Sequence, residues 1–293
     1  MHWSKPGDSW ADLATNDHFP APKPRHGRNV GVASITYMSS QVTEPNEWPD
    51  DARSDRLIGD WHIYQRTGGH RTSTDDLITA WYAAHRCQQP VARYLDLGCG
   101  IGSVLLMVTH KLRPTLAHGI EGQAQSALMA RRAINELPKN DSDINVRHAD
   151  FRDVDFGEER YDLVTGSPPY FPIGAGTLPS DAQRRACRFE ERGGVEVYLE
   201  TAARAMTKDA RFYLVFQTAG SERVLAAADA SGLHVTGVAE FHMRSDRDQP
   251  FLSVFEFARV PVATPHRFHC AVRDGSGEIT GDYLQLRQEL GVA

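Results

Sequence analysis

Cysteine is scarce in this chain: four in 293 residues (Cys87, Cys99, Cys187 and Cys270), with no C-x-x-C pair. Such spacing excludes a disulfide framework or a cysteine zinc cluster, so the thiols are expected to be reduced and no metal is expected. Long apolar runs and a signal-type hydrophobic segment are also lacking, so neither a membrane span nor secretion is expected and the location read is cytoplasmic. Nor is there an excess of positive charge. The 38 acidic and 32 basic residues leave −6, which argues against holding nucleic acid by overall charge alone. An apolar content of 41% and a charged content of 24% are those of a folded globular chain with ample length for a core.

Periodicity is missing from residues 1–52, which are rich in punctuation such as Phe19-Pro20-Ala21-Pro22-Lys23-Pro24. One short strand is expected at 30–37. The rest reads as a partly disordered or loosely docked extension, with a substrate-binding arm built on Lys23, Arg25 and Arg28 as the alternative. A single folded domain is expected over 53–293. It opens with a strand or small hairpin near 57–65, where Trp61 and Ile63 alternate with polar residues. A helix follows over 75–87, capped by Ser73 or Thr74 and carrying Leu77, Ile78, Trp81 and Tyr82 on its apolar face.

Strand and helix then alternate. Strands are expected at 92–97, 116–121, 143–148, 161–165 and 210–217, with helices at 102–111, 122–137, 195–206 and 221–230. Strands 234–243 and 251–260 close the pattern as an antiparallel pair. This alternation predicts an α/β fold with a doubly wound, mostly parallel sheet and helices on both faces. Its centre is Tyr94-Leu95-Asp96-Leu97-Gly98-Cys99-Gly100-Ile101-Gly102-Ser103, an apolar strand running through a glycine loop into a helix. Glycines permit positive φ and close approach of a ligand to the main chain, and the helix N-terminus behind them presents unpaired N–H groups. A dinucleotide fingerprint would place its third glycine at Ser103, so a nicotinamide dehydrogenase is disfavoured.

The spacing Asp96-x-Gly98-x-Gly100-x-Gly102 resembles motif I, D-x-G-x-G-x-G, of class I S-adenosylmethionine (SAM) methyltransferases. The resemblance implies a Rossmann-like seven-stranded sheet with one antiparallel edge strand, and SAM as cofactor. It also implies that Gly98 and Gly100 cradle the methionine moiety while Asp96 holds its ammonium group or the loop itself. Glu121, at the end of its strand and about 20 residues past the loop, is placed to accept the ribose hydroxyls. Asp150 is implied as the partner of the adenine amino group, with Phe151 or Ala149 near the ring and Asp153 as a competitor.

After the strand 161–165 comes Ser167-Pro168-Pro169-Tyr170. It resembles motif IV, (N/D/S)-P-P-(Y/F/W), of the amino-group methyltransferases. The lone pair of an exocyclic or amide nitrogen is delocalised and weakly nucleophilic. A side-chain oxygen and the Pro168 carbonyl that accept its hydrogens turn that lone pair toward the methyl donor, and the aromatic ring stacks a planar acceptor. Ser167 departs from the asparagine common in enzymes acting on adenine in RNA or on protein glutamine; serine occurs in some enzymes acting on cytosine in DNA. These four residues are the expected catalytic set.

Two flanking stretches narrow the resemblance. Gln65, Gly69, Arg71, Ser73 and Asp75 match the Q…GYRFSxDAxLLA segment of the bacterial valine-tRNA adenine-37 N6-methyltransferases, with His70, Thr72 and Asp76 standing for its tyrosine, phenylalanine and alanine. Arg188-Phe189-Glu190 falls where that family often carries a basic residue followed by an acid. The ending Asp274…Gly277-Glu278-Ile279-Thr280…Tyr283 is similar to its tail. The resemblance implies that Arg71 and Asp75 join the cofactor set, and that the partner is RNA, tRNA first, with no membrane partner. Arg184, Arg185, Arg188 and Arg192 are read either as phosphate contacts or as surface charges paired with Asp181, Glu190 and Glu191. The expected activity is methylation of an exocyclic amine, most of all adenine N6 in tRNA. The alternatives are a protein glutamine, guanine N2 or cytosine N4, and a non-catalytic SAM-fold subunit.

Overall fold

Alternation of Trp61 and Ile63 with polar neighbours produces a hairpin, β1 (Ala52–Ile58) and β2 (Trp61–Arg66), joined by a two-residue turn at Gly59 and Asp60. Gly59 has φ +55, which such a turn requires. The computed structural model describes residues 47–292; the strand expected at 30–37 and the basic positions 23, 25 and 28 lie outside them. Helix α1 (Thr74–Arg86) starts at Ser73, whose backbone N–H donates to the Asp76 carboxylate at 3.0 Å in a capping box.

The βα alternation yields β3 (Arg93–Leu97), α2 (Ser103–Leu112), β4 (Leu116–Glu121), α3 (Ala124–Asn135), β5 (Asp143–His148) and β6 (Tyr161–Gly166). There follow α4 (Ala182–Arg188), α5 (Val195–Ala205), β7 (Met206–Gln217), α6 (Ser221–Ala230), β8 (His234–Arg244), β9 (Leu252–Ala258), β10 (His266–Arg273) and α7 (Gly281–Leu290). The main sheet runs β10-β8-β9-β7-β6-β3-β4-β5. From β3 the chain winds to β4 and β5 in one direction, and from β6 to β7 in the other. With right-handed crossovers this puts α2 and α3 on one face and α5 on the other. The reversal between β3 and β6 leaves a crevice at the strands' carboxyl ends.

Two expectations are corrected. The sheet has eight strands, and its antiparallel member is internal: β9 pairs antiparallel with both β7 and β8, while β10 lies parallel outside β8. Strand β10 was concealed because only Phe268, Cys270 and Val272 turn inward, among His266, Arg267, His269 and Arg273. Helix α4 stands where a charged loop was the alternative. It has no apolar stripe, and its start is fixed by Asp181, which accepts the Arg184 N–H at 2.9 Å. Under the crevice, Leu95, Leu97, Val164, Leu199 and Phe212 are almost fully buried. Among the described residues no helix is long and apolar enough to cross a membrane.

Candidate active site

One cavity occupies the crevice, bounded below by the glycine loop and on its flank by the chain leaving β6. Gly98, Gly100 and Gly102 have φ of +65, +57 and +91, so the loop follows a path that other residues rarely adopt. A side chain at Gly98 would also strike Tyr198, since its Cβ would stand 2.5 Å from the phenol oxygen. Gly98 and Gly100 line the cavity, whereas Gly102 lies beneath it and starts α2, facing Ala130 and Leu106.

Asp96 sits at the end of β3, almost wholly buried. Its Oδ1 accepts the Thr165 hydroxyl at 2.7 Å, and that hydroxyl also meets the Tyr94 phenol at 2.7 Å. Its Oδ2 is buried with no hydrogen-bond partner among the described residues. Burial pushes the Asp96 carboxyl up to about 7. Glu121 is buried as well, with burial raising its pKa; its oxygens accept the N–H groups of Gly100 at 2.8 Å and Gln123 at 2.6 Å. Asp150, Ala149 and Phe151 line the next stretch of wall. Of the two competing acids, Asp150 faces the cavity and Asp153 does not. Asp150 forms a fork with Arg152 at 2.6 and 2.9 Å, and that contact holds its pKa below the usual carboxylate range.

At the other end stand Ser167, Pro168, Pro169 and Tyr170. The Tyr170 ring meets Phe216 edge-on with centroids 5.5 Å apart, and its hydroxyl donates to Asp75 at 2.9 Å. Asp75 is thus brought to the motif IV end. Arg71 is not brought in. It is exposed and outside the cavity lining, and its guanidinium reaches back to Asp55 of the hairpin at 3.3 Å.

Sequence reading missed His70, Asp76, Cys187 and Tyr198, all of which line the cavity. The signal for the first two was present, since both replace residues of the pattern that the surrounding segment resembles. Burial lowers the His70 pKa, and burial with the neighbouring Asp75 raises that of Asp76 well above the usual range. The four arginines divide between their two readings. Arg185 pairs with Glu191 at 2.6 Å, while Asp181 and Glu190 are taken by Arg66 and Arg223. Arg184, Arg188 and Arg192 are exposed and make no ion pair among the described residues; Arg192 reaches the cavity wall.

Comparison with known proteins agrees with this geometry. The family described as a methyltransferase domain matches residues 95–188, from β3 through α4. A tRNA1(Val) (adenine(37)-N6)-methyltransferase of Pedobacter heparinus is 25% identical over 224 residues, 76% of this chain and 92% of that protein. One of the same name from Tolumonas auensis is 26% identical over 230 residues, covering 78% and 93%. The crystal structure of a predicted O-methyltransferase, Atu636 of Agrobacterium tumefaciens, shares the fold with a TM-score of 0.52 at 20% identity, over 75% of this chain and 98% of that one. The unpaired carboxylate oxygen of Asp96 fits a cofactor with a cationic amino-acid end, and Gly100, where a side chain would meet nothing within 4 Å, leaves the main chain open to it. Loop, sheet order and relatives agree: this chain is a class I SAM-dependent methyltransferase.

Proposed function

We propose that this enzyme methylates an exocyclic amino nitrogen of a base in RNA, adenine N6 of tRNA before any other. The observation that carries the reading is that Ser167, Pro168, Pro169 and Tyr170 line the same cavity as the glycine loop and Glu121. Two relatives named as tRNA adenine N6-methyltransferases, each matched over more than nine-tenths of its length, support the RNA substrate. So do the three unpaired arginines on a chain that is acidic in sum. The catalytic domain is taken as 53–293 with 1–52 as an appended segment, acting in the cytoplasm, where tRNA is modified.

SAM supplies an electrophilic methyl group on its sulfonium sulfur. Asp96 would hold its ammonium end or the loop itself, Glu121 would accept the ribose hydroxyls, and Asp150 with Phe151 would meet the adenine. Ser167 Oγ and the Pro168 carbonyl accept the hydrogens of the target amine, so its lone pair is released from the ring, while Tyr170 stacks the acceptor and fixes the line of attack. The nitrogen's displaced proton leaves to water, and no covalent enzyme intermediate is needed.

Ser167 keeps a second reading in play. A hydroxyl is shorter than a carboxamide and offers one acceptor oxygen, which suits cytosine N4 or a protein amide as well as adenine. The test is transfer of labelled methyl from SAM into total tRNA, total protein and DNA in parallel, followed by nucleoside analysis. N6-methyladenosine in tRNA is the expected product. Label confined to protein, or found as N4-methylcytosine, overturns the adenine assignment.

A further inference from the structure

Asp75 and Tyr170 are 95 positions apart in sequence, yet the phenol of one donates to the carboxylate of the other at 2.9 Å inside the cavity. The sequence placed Asp75 among the cofactor residues. We propose instead that Asp75 is a positioning residue for the methyl acceptor: it holds the Tyr170 ring in the orientation that a planar amine-bearing group stacks against. This rests on the reading that Tyr170 stacks the acceptor.

Three features support the assignment. The Tyr170 phenol is part-buried, and burial and Asp75 together raise its pKa well above 10.0, so its O–H remains a donor. Asp75 supplies one from a rigid base. It lies in the first turn of α1, where the helix dipole favours a carboxylate, and its other oxygen takes the Ser73 hydroxyl. The Ser73–Asp76 capping box fixes that turn in its own right. On its other side the Tyr170 ring is backed edge-on by Phe216. The ring is therefore held at its rim by packing and at its tip by a charge-assisted hydrogen bond.

The departure at Ser167 explains why such a clamp matters here. A carboxamide grips an amine with a longer, directional arm. With a single hydroxyl in its place, the acceptor's orientation depends more on the plane of the ring, and so on whatever sets that plane. Asp75 acts through Tyr170 and is assigned no contact with the cofactor.

The experiment is a double-mutant cycle of Asp75→Ala and Tyr170→Phe, with Asp75→Asn as the conservative variant, read on the acceptor that takes label from the wild-type enzyme. Each single change is expected to lower kcat by about tenfold, the loss of one hydrogen bond to a charged group, with SAM affinity by calorimetry within about twofold of wild type. The double variant should be no worse than either single one, and Asp75→Asn, whose amide oxygen still accepts from the phenol, should recover most of the rate. If Asp75→Ala weakens SAM binding tenfold or more while Tyr170→Phe leaves it unchanged, Asp75 is a cofactor residue and the proposal fails. Losses that simply multiply in the double variant also overturn it. The identity of the labelled acceptor tests the RNA reading separately, because the cycle is read on whichever acceptor carries label. Should no acceptor carry label, thermal unfolding of the same four proteins reads the bond alone: shifts that fail to add support it, and additive shifts overturn it.

Discussion

The backbone N–H of Gly100 donates to Glu121 at 2.8 Å, tying the glycine loop after β3 to the end of β4. Glu121 takes the Gln123 N–H with its other oxygen, so one buried carboxylate shapes two turns of the cavity floor. Each carboxylate oxygen has a second lone pair, which leaves room for ribose hydroxyls without releasing the loop. Glu121→Ala should therefore weaken SAM binding by about 10- to 100-fold, since it removes the hydroxyl acceptor and orphans two amides. Glu121→Gln, which keeps one acceptor oxygen, should cost less. Isothermal calorimetry decides this, and an Ala variant with wild-type affinity would show that the carboxylate serves the loop alone.

Asp96 gives the binding reaction a pH dependence. Its carboxyl, pushed up to about 7 by burial, keeps a proton in the free protein at pH values where a free aspartate at 3.8 has lost it. Such a raised carboxyl stabilises the fold fully below about pH 4, and that contribution fades as the pH climbs through about 7. A cation beside the unpaired Oδ2 favours the carboxylate. SAM binding should thus release a proton near pH 6.5, and affinity should rise with pH and level off above about 7. Calorimetry in two buffers of different ionisation enthalpy reads the proton directly, and Asp96→Asn should abolish the release. Equal heats in the two buffers at pH 6.5 would contradict this role.

Much of this frame was legible in the sequence, and the exceptions have physical reasons. Strands β4 and β5 fall at the positions expected, because turn residues bound both. The glycine loop and the Ser-Pro-Pro-Tyr turn were visible because their chemistry is carried by neighbouring residues. What escaped reading depends on pairing across the chain. β10 is an edge strand with a polar outer row, and α4 is held by a cap and its charges rather than by an apolar stripe. Tyr198, on α5, reaches the cavity because its phenol packs against Gly98 of the loop. Arg71, expected in the cofactor set from its pattern, lies outside the cavity lining beside hairpin residue Asp55, a pairing that no local spacing announces. No local spacing announces that Asp75 meets Tyr170.

Ser167 is the position where the acceptor's identity is most open to change. If the cavity follows the plan of the asparagine-bearing enzymes, Ser167→Asn adds a second anchor for the amine and should raise turnover on adenine in tRNA several-fold. Ser167→Ala removes the remaining side-chain acceptor and should lower kcat by about tenfold with little change in SAM affinity. Steady-state kinetics with tRNA at saturating SAM distinguishes these outcomes. A Ser167→Asn variant that loses activity on adenine and gains none elsewhere would mean that the pocket is shaped around the smaller side chain.

Arg184 and Arg188 occupy successive turns of α4, exposed and without ion pairs among the described residues, and both bear electrostatically on His70 in the cavity wall. Two guanidiniums one helical turn apart beside a base-sized cavity suit the phosphates flanking an extruded nucleotide. Reversing both, Arg184→Glu with Arg188→Glu, should raise KM for tRNA by about tenfold or more at low salt and flatten its dependence on salt, because fewer counterions are then released on binding. SAM affinity should stay as in the wild type, since neither residue lines the cavity. Arg185→Glu is the internal control. Its guanidinium is already paired with Glu191, so it should affect the KM for tRNA far less. Equal losses at Arg185 and at the Arg184–Arg188 pair would point to general charge rather than a defined phosphate contact, and an unchanged KM in the double variant would move RNA docking to another face of the protein.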